Sequence, residues 1–177
     1  MQDFRDLDEL ATDLSRIACE CAEETPNGLP EDVSVLGSMP DVQCCDYLSV
    51  WLSDYVPFKH GEFPTENFAS IERCNQLAWA PELTVTLARP CRPVAENSRS
   101  MPFPNPSDRT DYGINILADI RWMTCCVPSK IIERGELGGR EFTYRNFLPR
   151  KPNIEAFATC TRIHMRYSFD IGSCCVL

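Results

Sequence analysis

An α+β fold, one mainly antiparallel sheet packed against two helices, is predicted by three features of the 177-residue sequence. Apolar residues recur at three- and four-residue steps over 3–23 and 110–127, as in helices with one buried face. They alternate singly over 81–90 and 159–171, the period of strands. The order is helix, strand pair, helix, strand pair, which a single sheet layered on two helices satisfies.

The first helix is the clearest element. Phe4, Leu7, Leu10, Ala11, Leu14, Ile17, Ala18, Cys21 and Ala22 form one stripe. Asp3 is a suitable N-cap, acidic residues fill the first turns as the helix dipole favours, and TPNGLP at 25–30 ends the helix. Val33 and Val35 alternate in a short strand over 31–36. Over 46–56, Leu48, Val50 and Leu52 face one way and Tyr47, Trp51 and Tyr55 the other, so neither face is expected to be freely solvated. Residues 57–75 read as irregular, with GEFPTENF an exposed connection. In PELTVTLARP, Leu83, Val85 and Leu87 oppose Thr84, Thr86 and Ala88. This strand pairs antiparallel with 46–56 across a long strand-to-strand loop.

PCRPVAENSRSMPFPNPSDR at 90–109 is a proline-rich surface loop, or an arm that docks on a neighbouring subunit. The second helix places Ile116, Ile120, Met123 and Val127 on one stripe with Leu117 beside it. Pro128 ends or kinks it, with SKIIER as a possible continuation. RGELGG reads as a turn and 140–148 as a weak strand. In the final strand, Cys160, Arg162, His164, Arg166, Ser168 and Asp170 alternate with Thr161, Ile163, Met165, Tyr167, Phe169 and Ile171, which predicts one solvated and one buried face. A chain of this length forms one domain, 1–177, that buries about 70% of its unfolded surface.

Net charge is −9, and the longest basic cluster is the thin group Arg145, Arg150 and Lys151. General electrostatic gripping of DNA is thereby excluded, although an acidic wall lets a polyanion pass without sticking. No apolar run reaches about 18 residues, so no membrane span is expected. The acidic, amphipathic N-terminus is not a signal peptide, and a cytoplasm with reduced thiols is the expected compartment.

Eleven cysteines stand at 19, 21, 44, 45, 74, 91, 125, 126, 160, 174 and 175. No C-x-x-C occurs and neither His60 nor His164 has a second ligand at metal spacing. Buried packing, disulfides formed after release from the cell, and a metal site remain as readings. Cys21, on the helix stripe, fits packing.

No glycine-rich phosphate loop, G-x-S-x-G elbow or H-E-x-x-H is present. Cys160 and His164 share a strand face but lie about 13 Å apart, too far for proton transfer. Asp6, Asp8, Glu9 and Asp13 fit a solvated helix face. No catalytic, cofactor or metal residue is assigned, and a non-enzymatic role is expected. The aromatic residues Trp51, Tyr55, Phe58, Phe63 and Phe68, with Phe103 in the proline-rich segment, are candidate interface residues, with local loop packing the competing reading.

The stretch DVQCCDYLSVWLSDYVPFKHGEFP at 41–64 resembles neck proteins of long-tailed actinobacterial phages, where D-x-x-C precedes an L-x-V strand, an aromatic, a short loop and F-P. LTVTLARPCRP at 83–93 is similar to the family's next element, a strand closing on R-C or R-x-C before a proline-rich loop. Residues 110–127, 148–152 and Cys160 with its strand follow in the family's order. The second cysteine of the Cys44/Cys45 pair and the Cys174/Cys175 tail lie outside the pattern, and NIEAFATC replaces a glycine-rich approach to the last strand.

The resemblance implies a tail terminator: a ring, usually six-fold, that caps the head-proximal end of the tail tube, halts its polymerisation and docks the head connector. Its implied partners are itself as a hexamer, the tail tube protein, a head-closure or connector protein, and genomic DNA that passes the lumen without specific binding. The implied location is the head–tail junction of the virion, after assembly in the host cytoplasm, with no membrane and no cofactor. Cys45 enters one strand and Cys91 leaves its antiparallel partner, a candidate packing or disulfide pair. The alternatives are a head-completion or adaptor protein on the portal side and, in another class, a small cytoplasmic metal or redox protein built on the cysteines.

Overall fold

A computed structural model describes residues 5–35, 46–59, 63, 77–90, 106–156 and 160–171. Helix α1 (Arg5–Glu23) leads to strand β1 (Asp32–Val35), then β2 (Tyr47–Lys59) and β3 (Leu77–Pro90). Helix α2 (Pro106–Arg121) runs through a π-helical turn (Trp122–Cys126) into α3 (Val127–Arg134). The short hairpin β4 (Glu136–Leu137) and β5 (Arg140–Glu141), then β6 (Phe147–Pro149), β7 (Asn153–Ala156) and β8 (Cys160–Phe169), complete the order.

The chain is α+β, as the patterns predict. The sheet runs β1-β2-β3-β8, with β6 and β7 both pairing β8. Every pairing is antiparallel except β1 on β2. The helices cover one face. Leu48, Val50, Leu83, Val85, Leu87, Ile163, Met165 and Tyr167 pack there against Leu10, Leu14 and Ile17 of α1 and against Met123, Val127 and Ile131. Burying each such side chain contributes about 1.5–3 kcal/mol, which holds the two layers together. Lys130 of α3 reaches Glu24, one residue past α1, at 2.7 Å, and Arg134 reaches Glu20 of α1 at 2.6 Å. The Arg134 hydrogen bond lowers the Glu20 pKa.

The structure corrects several sequence expectations. β2 continues through Pro57 and Phe58, where irregular chain was expected, because β3 also begins earlier and pairs Phe58 with Ala78. Residues 106–109, read as linker, open α2, and Pro106 suits a helix start because its missing N–H is not needed there. Residues 140–148 divide between β5 and β6. At Pro128, where the sequence left either an end or a kink with SKIIER continuing, the helix continues through SKIIER to Arg134. The π turn widens the backbone before Pro128, and the Val127 N–H bonds the Trp122 carbonyl five residues back. That leaves the Met123 carbonyl without a backbone donor, since Pro128 has no N–H. The buried Tyr167 hydroxyl donates to it at 2.5 Å.

RGELGG is the turn expected, tightened into the β4–β5 hairpin. Gly138 and Gly139 both have positive φ, 57° and 70°, as a two-residue hairpin turn requires. A Cβ on Gly138 would sit 2.7 Å from Leu10 backbone atoms, so the turn packs directly on α1.

Candidate functional site

The sheet has two unlike ends. β1, four residues long and exposed throughout, ends it on one side. On the other, β7 and β6 lie successively along the outer edge of β8. Val33 and Val35 pair with Leu48 and Val50, and Ile154 pairs with Ile163, so all three belong to the helix-covered face of the sheet. They are nonetheless 43%, 37% and 47% exposed. Sequence reading placed Val33 and Val35 on a strand but did not single them out, and it did not single out Ile154. Their alternation was visible, but their position at sheet ends depends on strand order.

β2 and β3 also run past the sheet. β8 pairs β3 only between Glu82 and Pro90, whereas β2 and β3 stay paired out to Lys59 and Leu77. Five residue pairs therefore project as a two-stranded ribbon about 17 Å long. Tyr55 lies exposed at its root. Phe58, expected on a loop and offered as an interface residue, is instead a strand residue and only 1% exposed. Its ring meets the partly buried Phe63 edge-to-face at 5.2 Å, and with Ala80 they form a small cluster separate from the main core. Packing, not display, accounts for Phe58. Phe68 and Phe103 lie outside the described residues, as do Cys45 and Cys91.

Trp51, another interface candidate, belongs to a polar layer on the sheet face away from the helices. Its Nε1–H donates to Thr86 Oγ1 at 2.9 Å, and Thr86 Oγ1 lies 2.9 Å from His164 Nδ1. The other ring nitrogen of His164, Nε2, faces Glu155 of β7 at 3.4 Å. A second set joins Glu82 to Arg166, Arg150 and Ser168. The solvated face expected on β8 is therefore buried at every strand position except Arg166. Polar residues there are retained by hydrogen bonds across strands rather than by water.

On the helix side, Arg89 gathers three elements. It donates to Asp119 of α2, to Asp46 just before β2 and to the Gly28 carbonyl after α1. Asp119 is fully buried and also accepts from Trp122 Nε1 at 3.0 Å. The paired charges fix the end of β3 where the proline-rich segment begins.

Five of the eleven cysteines, at 19, 21, 125, 126 and 160, lie among the described residues. Cys21, expected as a packing residue, is buried in the core and also disulfide-bonded to Cys126 in the π turn. The stripe predicted the burial. It could not predict the partner, which comes from 105 residues away. Cys160 is disulfide-bonded as well. Cys19 and Cys125 are free thiols, and burial pushes the Cys19 thiol above its usual pKa. Among the described residues, no group of three or more His, Cys, Asp and Glu side chains is placed to hold a metal ion, and no helix is long and apolar enough to cross a membrane.

No protein-family model matches the chain, and no curated protein matches it.

Proposed function

We propose that this protein is a tail terminator in the neck of a long-tailed phage. It forms a ring at the head-proximal end of the tail tube, stops tube polymerisation and offers the surface on which the head connector docks. The resemblance of residues 41–64 and 83–93 to neck proteins motivates the reading. The observation that carries it is the pair of unlike, apolar-bearing ends on one sheet. Two different patches can be joined only head to tail, and head-to-tail contacts close into rings or run on as filaments. The projecting β2–β3 ribbon adds reach toward a neighbour or the tube. A net charge of −9 suits a wall past which DNA moves without adhering.

Electron microscopy of a lysate from a phage with a nonsense mutation in this gene tests the proposal. Tails of irregular excess length beside separate DNA-filled heads are expected. Normal-length tails beside unattached heads would move the protein to the portal side of the joint, as a head-completion or adaptor protein. Intact infectious particles would overturn a neck role altogether.

A further inference from the structure

We propose that the sheet continues from one copy to the next, with β1 of each subunit adding antiparallel to β7 of its neighbour, and that the register sets Val35 opposite Ile154 and Val33 opposite Ala156. The inference rests on the ring reading and specifies its contact.

Strand direction permits the join. β1 runs parallel to β2, β3 runs against them, β8 against β3, and β7 against β8. β1 and β7 of one chain thus point in opposite directions at opposite ends of one sheet. A rotation about an axis roughly along the strands preserves direction. It brings the β7 end of one copy to the β1 end of the next as an antiparallel pair, the geometry that needs no crossover and pairs well.

The two edges also match in length and face. Each strand has four residues. Val33, Val35, Ile154 and Ala156 all belong to the helix-side face, while Ser34, Asn153 and Glu155 belong to the other. Continuing the sheet therefore joins exposed apolar side chains to exposed apolar side chains. Neither strand carries the lysine or proline with which monomeric proteins blunt an open edge.

Charge selects the register. Antiparallel pairing that keeps the faces aligned leaves two close choices. Setting Val33 opposite Ile154 also sets Asp32 directly opposite Glu155, two like charges in a cross-strand pair. Shifting by two residues sets Val35 opposite Ile154 and Ser34 opposite Glu155, which removes the clash and brings Val33 to Ala156.

Two exposed-site variants of the full chain, Val35→Glu and Ile154→Lys, test this by mass photometry and sedimentation. Each single variant is expected to raise the protein concentration needed for rings by at least about tenfold. The double variant, and an equimolar mixture of the two single variants, are expected to form rings again, because every contact is then either native or oppositely charged. Unchanged thermal unfolding of each variant shows that the fold is intact. Single variants that ring like the wild type overturn the edge pairing and leave the ring reading standing. Single variants that fall apart without recovery in the double variant or the mixture overturn the register. A wild-type chain that stays monomeric up to its solubility limit overturns the ring itself.

Discussion

Tyr167 serves two layers at once. Its ring lies in the core, stacked on Phe147, and its hydroxyl supplies the hydrogen bond that the π turn cannot make for itself. The ring's burial followed from its place in the alternation over 159–171. The hydroxyl's partner did not, because it exists only where Pro128 deprives the Met123 carbonyl of a backbone donor. Tyr167→Phe keeps the stacked ring and removes only the donor. A buried, unsatisfied carbonyl is expected to cost about 1–3 kcal/mol. In a chain of this size that is a fall in Tm of roughly 2–12 °C, read by thermal or urea unfolding. A variant as stable as the wild type would mean that the carbonyl is satisfied elsewhere.

At the scale of elements, the sequence erred where a proline was read without its neighbours. Pro57 suggested the end of a strand. It is tolerated inside β2 because, among the described residues, the ribbon has only two strands there, so the missing N–H faces no further strand. Pro81 follows the same logic, one residue before β8 begins to pair with β3. The helix layer shows the opposite case. Cys21 was legible as a buried stripe residue, yet its bond to Cys126 joins α1 to the π turn across 105 residues of chain, a relation no local pattern contains. A cross-link of that span limits the unfolded chain and is expected to contribute about 2–4 kcal/mol. Replacing both Cys21 and Cys126 by alanine should lower the stability of oxidised protein by that amount in urea unfolding. Under a strong reductant the gap from wild type should shrink to the small difference between two buried thiols and two methyl groups. Equal stability under oxidising conditions would mean that the bond does not form.

For the whole molecule, the fold class was legible because two periods, 3.6 and 2, were each clear over long segments. The candidate contact surfaces were not, because whether Val33, Val35 and Ile154 are core or surface is decided by which strands end the sheet. Charge then makes a prediction about assembly. Each copy carries a net charge of −9, so neighbouring copies repel. The side chains assigned to the contact, Val33, Val35, Ile154 and Ala156, are uncharged, and Ser34 rather than Asp32 opposes Glu155. Attraction at the joint is therefore insensitive to salt, whereas repulsion between whole subunits is not. The screening length falls from about 30 Å at 0.01 M salt to about 8 Å at 0.15 M. Self-association should accordingly strengthen over that range, with rings appearing at lower protein concentration in mass photometry. A contact built on opposite charges would weaken over the same range, because salt would screen the attraction itself. Rings that dissolve as salt is added would thus transfer the joint from the sheet ends to some charged surface, even if the protein remained a ring.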